Sequence, residues 1–367
     1  MKMRYLILLM ALTITPLVAC NANNGSSDAA ADQAAPTAAP DKPDLSFLAK
    51  LGLDVSNLTI IGDVWEPSAV FVDLNKEQTI RLLPMAQFMN GGEEQIYDGR
   101  YYLTAAKALP NGYTMLLYGW STGDDSSLEM MGIYNRDGNI TDFMQLGDMN
   151  EFSDNEQNDD YTQGRAQMTD TELKFTAPAE FTLDRTIKEA DWQRDPNSED
   201  GGRDITKVYW LLTTEKTYNV DDHGHVKLAD QKELKRKGNL DNDYELFLQF
   251  DDLANMPISD VTRIDKMNDL ANITKQALGD ERFDDTFAYR VISGVSEFFA
   301  SDPDSLLKWI YKNRKRENLI VRCLMESIEN SYIEKSMFDN AINQLTDNDA
   351  KQYLKELTAT WKSEVGD

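Results

Sequence analysis

The chain has 367 residues, 63 of them Asp or Glu against 37 Lys or Arg, for a net charge of −26, and 41% are hydrophobic. A surface this negative repels nucleic acid phosphates and anionic head groups, which argues against both as general partners. With 2 cysteines and 2 histidines there is little material for disulfides or for a metal site rich in nitrogen and sulfur, and no cofactor is expected.

The first twenty residues read MKMRYLILLMALTITPLVAC. Lys2 and Arg4 precede an uncharged, mostly apolar stretch from Tyr5 to Leu17, too short for a membrane span of about 20 residues, so residues 1–19 read as a secretory signal peptide. Its end, Leu17-Val18-Ala19-Cys20, resembles the lipobox of bacterial lipoproteins. The resemblance implies that the Cys20 thiol receives a diacylglyceryl group and that cleavage just upstream makes Cys20 the mature N-terminus. Several acyl chains such as palmitate, each buried CH₂ contributing about 0.8 kcal/mol, would hold the protein to a membrane without a spanning helix. In a Gram-negative host, Asn21 in place of Asp resembles the sorting pattern for the outer membrane, which implies a periplasmic or surface location.

Residues 20–44 continue as NANNGSSDAAADQAAPTAAPDKPD after the cysteine, with no large apolar residue. Such a composition cannot offset the entropy of ordering and is expected to be a disordered tether. It would reach about 25–30 Å on average as a flexible coil and roughly 80 Å fully extended. With Cys20 alkylated, Cys323 is the only thiol left, so an intramolecular disulfide is not possible.

Residues 45–255 favour strands. AVFVDL, TIRLLP, YYLTAAKAL, YTMLLYGW, MMGIYN and VYWLLTT are short apolar or aromatic runs separated by GG, PNG, TGDD and EDGG, where Gly and Asn permit turns. This pattern predicts an antiparallel meander closing as a sandwich or barrel. Two stretches, IYNRDGNIT and TYNVDDHGHVK, resemble each other as hairpins and suggest a weak internal repeat. The segment from Asn150 to Gly164 is polar and acidic and reads as a long exposed loop or a break. Residues 256–367 change period. Val261, Ile264, Leu270, Ile273 and Leu278 are spaced for one helical face, with Ser259 as cap and Gly279 as stop. Asp302 and Pro303 fit the start of another helix with Leu306, Leu307 and Ile310 inward. About six helices in packed pairs are expected, giving an α+β chain with a β-rich domain before an all-α domain.

The candidate chemistry is thin. Ser305-Leu306-Leu307-Lys308 and Ser153-Asp154-Asn155 spell two elements of penicillin-binding proteins, but in reversed order and without the K-T-G element, so Ser305 reads as part of a helix's first turn. His223 and His225 with Asp221 could bind zinc or copper if they share a strand face; Gly224 equally permits a turn that points the rings apart. An EF-hand over Asn219 to Asp230 is disfavoured by the histidine. Cys323 lies among Leu319, Ile320, Leu324 and Ile328 and reads as a buried thiol. Trp120, beside Asp124 and Asp125, could stack on a sugar ring or meet a partner, or simply cap a core strand. Lys312, Arg314, Lys315 and Arg316 form a basic patch that either complements a helix C-terminus or docks on phosphates or an acidic partner.

Taken together, these features lead us to expect a lipid-anchored envelope protein that binds a protein or glycan partner without catalysis, and no nucleic acid. The alternatives are an envelope polysaccharide hydrolase using an Asp/Glu pair that spacing cannot single out, and a metal-binding envelope protein resting on His223 and His225.

Overall fold

The computed structural model describes residues 42–62, 71–84, 100–121, 127–147, 150–157, 162–194, 203–240, 242–315, 319–330 and 333–365. Short elements come first: helix α1 (Ser46–Lys50), strands β1 (Thr59–Ile60) and β2 (Val72–Leu74), and helix α2 (Lys76–Leu82). A long run of strands follows: β3 (Arg100–Ala108), β4 (Thr114–Ser121), β5 (Ser127–Tyr134), β6 (Ile140–Gly147), β7 (Asn150–Gln157), β8 (Gln163–Ala177), β9 (Glu180–Arg194), β10 (Arg203–Val220) and β11 (Val226–Lys237). Helices then complete the chain: α3 (Asn242–Ala254), α4 (Arg263–Leu278), α5 (Asp280–Thr286), α6 (Ala288–Ser301), α7 (Pro303–Lys312), α8 (Leu319–Glu329), α9 (Lys335–Gln344) and α10 (Asn348–Val365). The protein is α+β, with antiparallel sheets before helices. Among the described residues no helix is long and apolar enough to cross a membrane.

The strands form two sheets. In the first the order is β1-β3-β4-β5-β6, with β2 also pairing β3; the second is the meander β11-β10-β9-β8-β7. Only the β1–β3 pair is parallel among those described. The first sheet is buried on both faces. Leu116 and Tyr118 of β4 join a cluster with Phe47 and Leu48 of α1 and Leu82 of α2, while Met115 and Leu117 face Leu173, Phe175, Phe181 and Leu183 of the second sheet. A strand covered on both sides has no polar face to show, which is why TMLLYGWS lacks alternation. β3 keeps its two faces correct by a bulge at Thr104: Tyr101 and Leu103 belong to the helix-side cluster before it, and Ala106 after it.

The second sheet is built differently. β8 and β9 run 15 residues and β10 runs 18, beyond the usual 3–10. Their proximal half packs on the first sheet through Leu173, Phe181, Tyr218 and Val220. Their distal half carries a small cluster of Ala166, Met168, Ala190 and Trp192, with Val208 against it, and Thr169, Ile187 and Leu212 are buried where the halves join. In β11 Val226 is buried and every residue from Lys227 to Lys237 is exposed.

Asp142, fully buried on β6, ties these layers to the helices. It accepts hydrogen bonds from the backbone N–H of Val226 at 2.6 Å, of Phe143 at 2.8 Å and of Ser259 at 3.1 Å, and from the Ser259 hydroxyl at 2.6 Å. Burial pushes its carboxyl above the usual range, while those donors pull the other way.

Several expectations need correcting. TIRLLP is not a strand; it lies largely in α2, started by a capping box in which Asn75 and Gln78 exchange hydrogen bonds. Half of the Asn150–Gly164 segment is strand β7, paired antiparallel to β8. Ser259 does not cap a helix, because its hydroxyl is engaged by Asp142. In α4 the buried face is Arg263, Ile264, Met267, Ala271 and Thr274, whereas Val261 and Ile273 are 69% and 64% exposed. The apolar residues there misled because Met267 and two non-aliphatic residues complete the inner stripe. Eight helices, not about six, lie among the described residues of 242–365. Gly279 does end α4 with φ 84°, and Asp302 caps α7 with Pro303 in its first turn.

Candidate binding surface

Three hairpin turns converge at one end of the sheets, and two of them share one hydrogen-bond pattern. Asn135 N–H donates to Asn139 O, Gly138 N–H donates to Asn135 O, and the Asn135 side chain accepts from the N–H groups of Asp137 and Asn139. Asp221, Gly224, His223 and His225 repeat each of these bonds, and the glycines have φ 78° and 74°. The resemblance between the two stretches is therefore a shared turn geometry, with Asn135 matching Asp221. The third turn, Pro110–Gly112, meets them. Asn111 donates to Asp222 at 2.9 Å, Arg136 lies against Gly112, and Gly224 packs against Tyr113 and Thr141. Phe47 packs on Gly138 and Thr114 donates to the Asp44 carbonyl, so the described chain begins at this same end.

The predicted site residues fall as follows. His223 and His225 lie in that turn with ring centroids 6.2 Å apart; the Asp221 carboxylate, already capping the turn, stands 3.7 Å from His225 Nδ1. Backbone and charge partners hold that carboxylate below its ordinary value despite partial burial. Among the described residues no group of three or more His, Cys, Asp or Glu side chains is gathered for a metal ion. Trp120 is half-buried and packs 6.4 Å from Tyr101 at the helix-side cluster; Asp124 and Asp125 lie outside the described residues. Lys312, Arg314 and Lys315 are exposed at the end of α7, where Arg314 donates to the Tyr311 carbonyl at 2.8 Å and sits 4.0 Å over its ring; Arg316 lies outside the described residues, as do Cys20, Asn21 and the tether up to residue 41. Cys323 is buried, which pushes its thiol up to about 12. Ser305 donates its N–H to Asp302, as a first-turn residue does.

A surface that spacing did not single out lies on the distal half of the second sheet. Tyr209 is held between Arg165 at 3.8 Å and Lys207 at 4.1 Å, and its hydroxyl donates to Asp191 at 2.7 Å. Arg165 also approaches Asp191 at 3.4 Å, and on the same half-sheet Arg203 sits 4.7 Å over Trp192. Arg165, Lys207, Asp191 and the Tyr209 hydroxyl give one face of this half-sheet a cluster of charged and hydrogen-bonding groups suited to a polar partner, while Trp192 is buried on the opposite face. In sequence VYWLLTT is a plain apolar run, and only the register of β8, β9 and β10 brings Arg165, Asp191, Lys207 and Tyr209 together. A second opening of about 840 Å³ lies beside α1 and α2, where Lys50, Lys76 and Arg81 surround Leu51 and Ile80.

One carboxyl is displaced far from its usual value. Glu297 on α6 is pushed up to about 7, by burial first and by the Asp251 charge second, with Oε2 buried and unbonded among the described residues. It sits in the helical packing and does not line the opening beside α1 and α2.

No protein-family model, curated protein or solved structure matches this chain.

Proposed function

We propose that this protein is a lipid-anchored component of a bacterial cell envelope, held at the outer membrane through Cys20, and that it acts by binding a protein or glycan partner and not by catalysis. The anchoring half rests on Leu17-Val18-Ala19-Cys20 and the polar stretch behind it. The binding half rests on one observation: the second sheet continues well past the core that its proximal half shares with the first sheet, and the surplus carries the Arg165–Tyr209–Lys207 stack. Strand residues rise about 3.3 Å each, so the Arg203 end of β10 stands roughly 50 Å from the hairpin end where Asp44 enters.

Cross-linking in intact cells tests this, comparing the native chain with a soluble exported form lacking Cys20. A single partner captured near stoichiometrically by the native chain, and lost without the anchor, is the expected result. No specific capture together with hydrolysis in a screen of envelope glycans would replace the binding reading with the hydrolase.

A further inference from the structure

A narrow crevice of about 40 Å³ opens where the two sheets meet the end of α3, lined among others by Gln145, Arg185, Thr214, Lys216, Asp252 and Asn255. That is room for a few waters or one small polar group. Arg185 stands opposite Thr171 on β8 and Thr214 on β10, so the three side chains share the face that becomes core one pair further along, at Leu183. Lys216 reaches Asp252 at 2.7 Å, with 17% of its side chain exposed. Arg185 is half-buried and has no hydrogen bond, ion pair or ring contact with any described residue.

A guanidinium does not lose its charge, and taking it partly out of water without a partner is costly. Asp252 is already matched by Lys216, so among the described residues Arg185 brings a positive charge to the crevice without an ion pair, in a chain whose net charge is −26. Several groups around it can donate: the Thr214 hydroxyl, the Gln145 and Asn255 amide nitrogens and the Lys216 ammonium, while the Asp252 carboxylate, held by Lys216, accepts only. We propose that this crevice binds one small oxyanion, a carboxylate or a phosphate group, through the forked N–H groups of Arg185 with Thr214 and Lys216 beside it. Such an anion would join the second sheet to α3 and stabilise the protein by linkage. The site is independent of the lipid anchor and of the distal binding surface.

Calorimetric titration of the full chain with sodium phosphate, and separately with sodium acetate, at fixed ionic strength tests it. One saturable site for at least one anion is expected, with a melting temperature that rises as the anion is added. Saturation by phosphate alone assigns the natural ligand to phosphate compounds, and by acetate alone to carboxylates. Arg185→Gln is expected to weaken binding at least tenfold while lowering the melting temperature of the anion-free protein little, since no hydrogen bond or ion pair with a described residue is lost; Arg185→Lys should fall between. Arg282→Gln, which removes an exposed pair with Asp243, should bind as the native chain does. No saturable binding of either anion by about 10 mM, or equal affinity in Arg185→Gln, overturns the proposal.

Discussion

Strands β4 and β11 show how differently one chain can use the same ladder. β4 buries Met115, Leu116, Leu117 and Tyr118 almost completely, while β11 buries Val226 alone. The first sheet is filling between two layers, so its side chains stabilise the fold. The second sheet packs on the first through one half, and its other half, with Trp210 against Tyr244 of α3, carries half-buried and exposed polar side chains on its surface. Its edge is guarded: Lys227, Lys232, Lys235, Arg236 and Lys237 line β11, and register shifts at Ala229 and Leu234 interrupt the ladder. Charges and bulges of this kind discourage another strand from adding on, so the proposed contact would use the face of the sheet and not this edge.

Substitutions can break or sharpen that contrast. The largest loss is expected at Asp142, where the first sheet is tied to β11 and to Ser259: Asp142→Ala leaves four donors without their acceptor and should cost about 3–5 kcal/mol in urea unfolding. A reference outside both sheets is Glu297. Its folded-state value, raised from 4.5 to about 7, means the folded protein holds the proton more tightly than the unfolded chain. That contribution is complete below 4.5 and is lost as pH rises to about 7, so the native chain should lose on the order of 2 kcal/mol relative to Glu297→Gln over that window. Parallel unfolding curves at several pH values would show a flat difference if Glu297 were instead ionised in the fold.

Smaller effects follow at single hydroxyls. Tyr134 accepts from Tyr118 at 2.7 Å and donates to the Leu82 carbonyl at 2.7 Å, joining β4, β5 and α2 inside the core. Tyr134→Phe is expected to cost about 1–2 kcal/mol. Tyr209→Ala on the distal half-sheet should move the melting temperature by no more than about 2 °C, although it removes a larger side chain. If Tyr209→Ala were as damaging as Tyr134→Phe, the distal half would be part of the stabilising core.

The order of strands before helices could be read from the sequence because it depends on local pattern: YTMLLYGW and YYLTAAKAL are mostly apolar or aromatic, and Asp302-Pro303 announces a helix. What could not be read depends on partners distant in sequence. TIRLLP looks extended until Asn75 and Gln78 cap it as a helix. The inner face of α4 uses Arg263 and Thr274, polar residues that only the surrounding helices and the carboxylates of Asp142, Asp260 and Asp302 make tolerable. The distal stack needs the register of β8, β9 and β10, and the lone charge of Arg185 is visible only once Lys216 is seen to be taken by Asp252. The histidine pair was conspicuous in sequence, and its turn is explained by hydrogen bonds that Asn135 makes equally well without any histidine.

The central claim, that the distal half of the second sheet is the surface this protein uses, is tested most directly by a photo-activated cross-linker placed at position 209 or at position 174 in intact cells. Lys174 lies on the proximal half of the same sheet, with 38% of its side chain exposed. Our account predicts a discrete adduct from position 209 and none from position 174. Equal capture at the two positions, or capture from 174 alone, would contradict it.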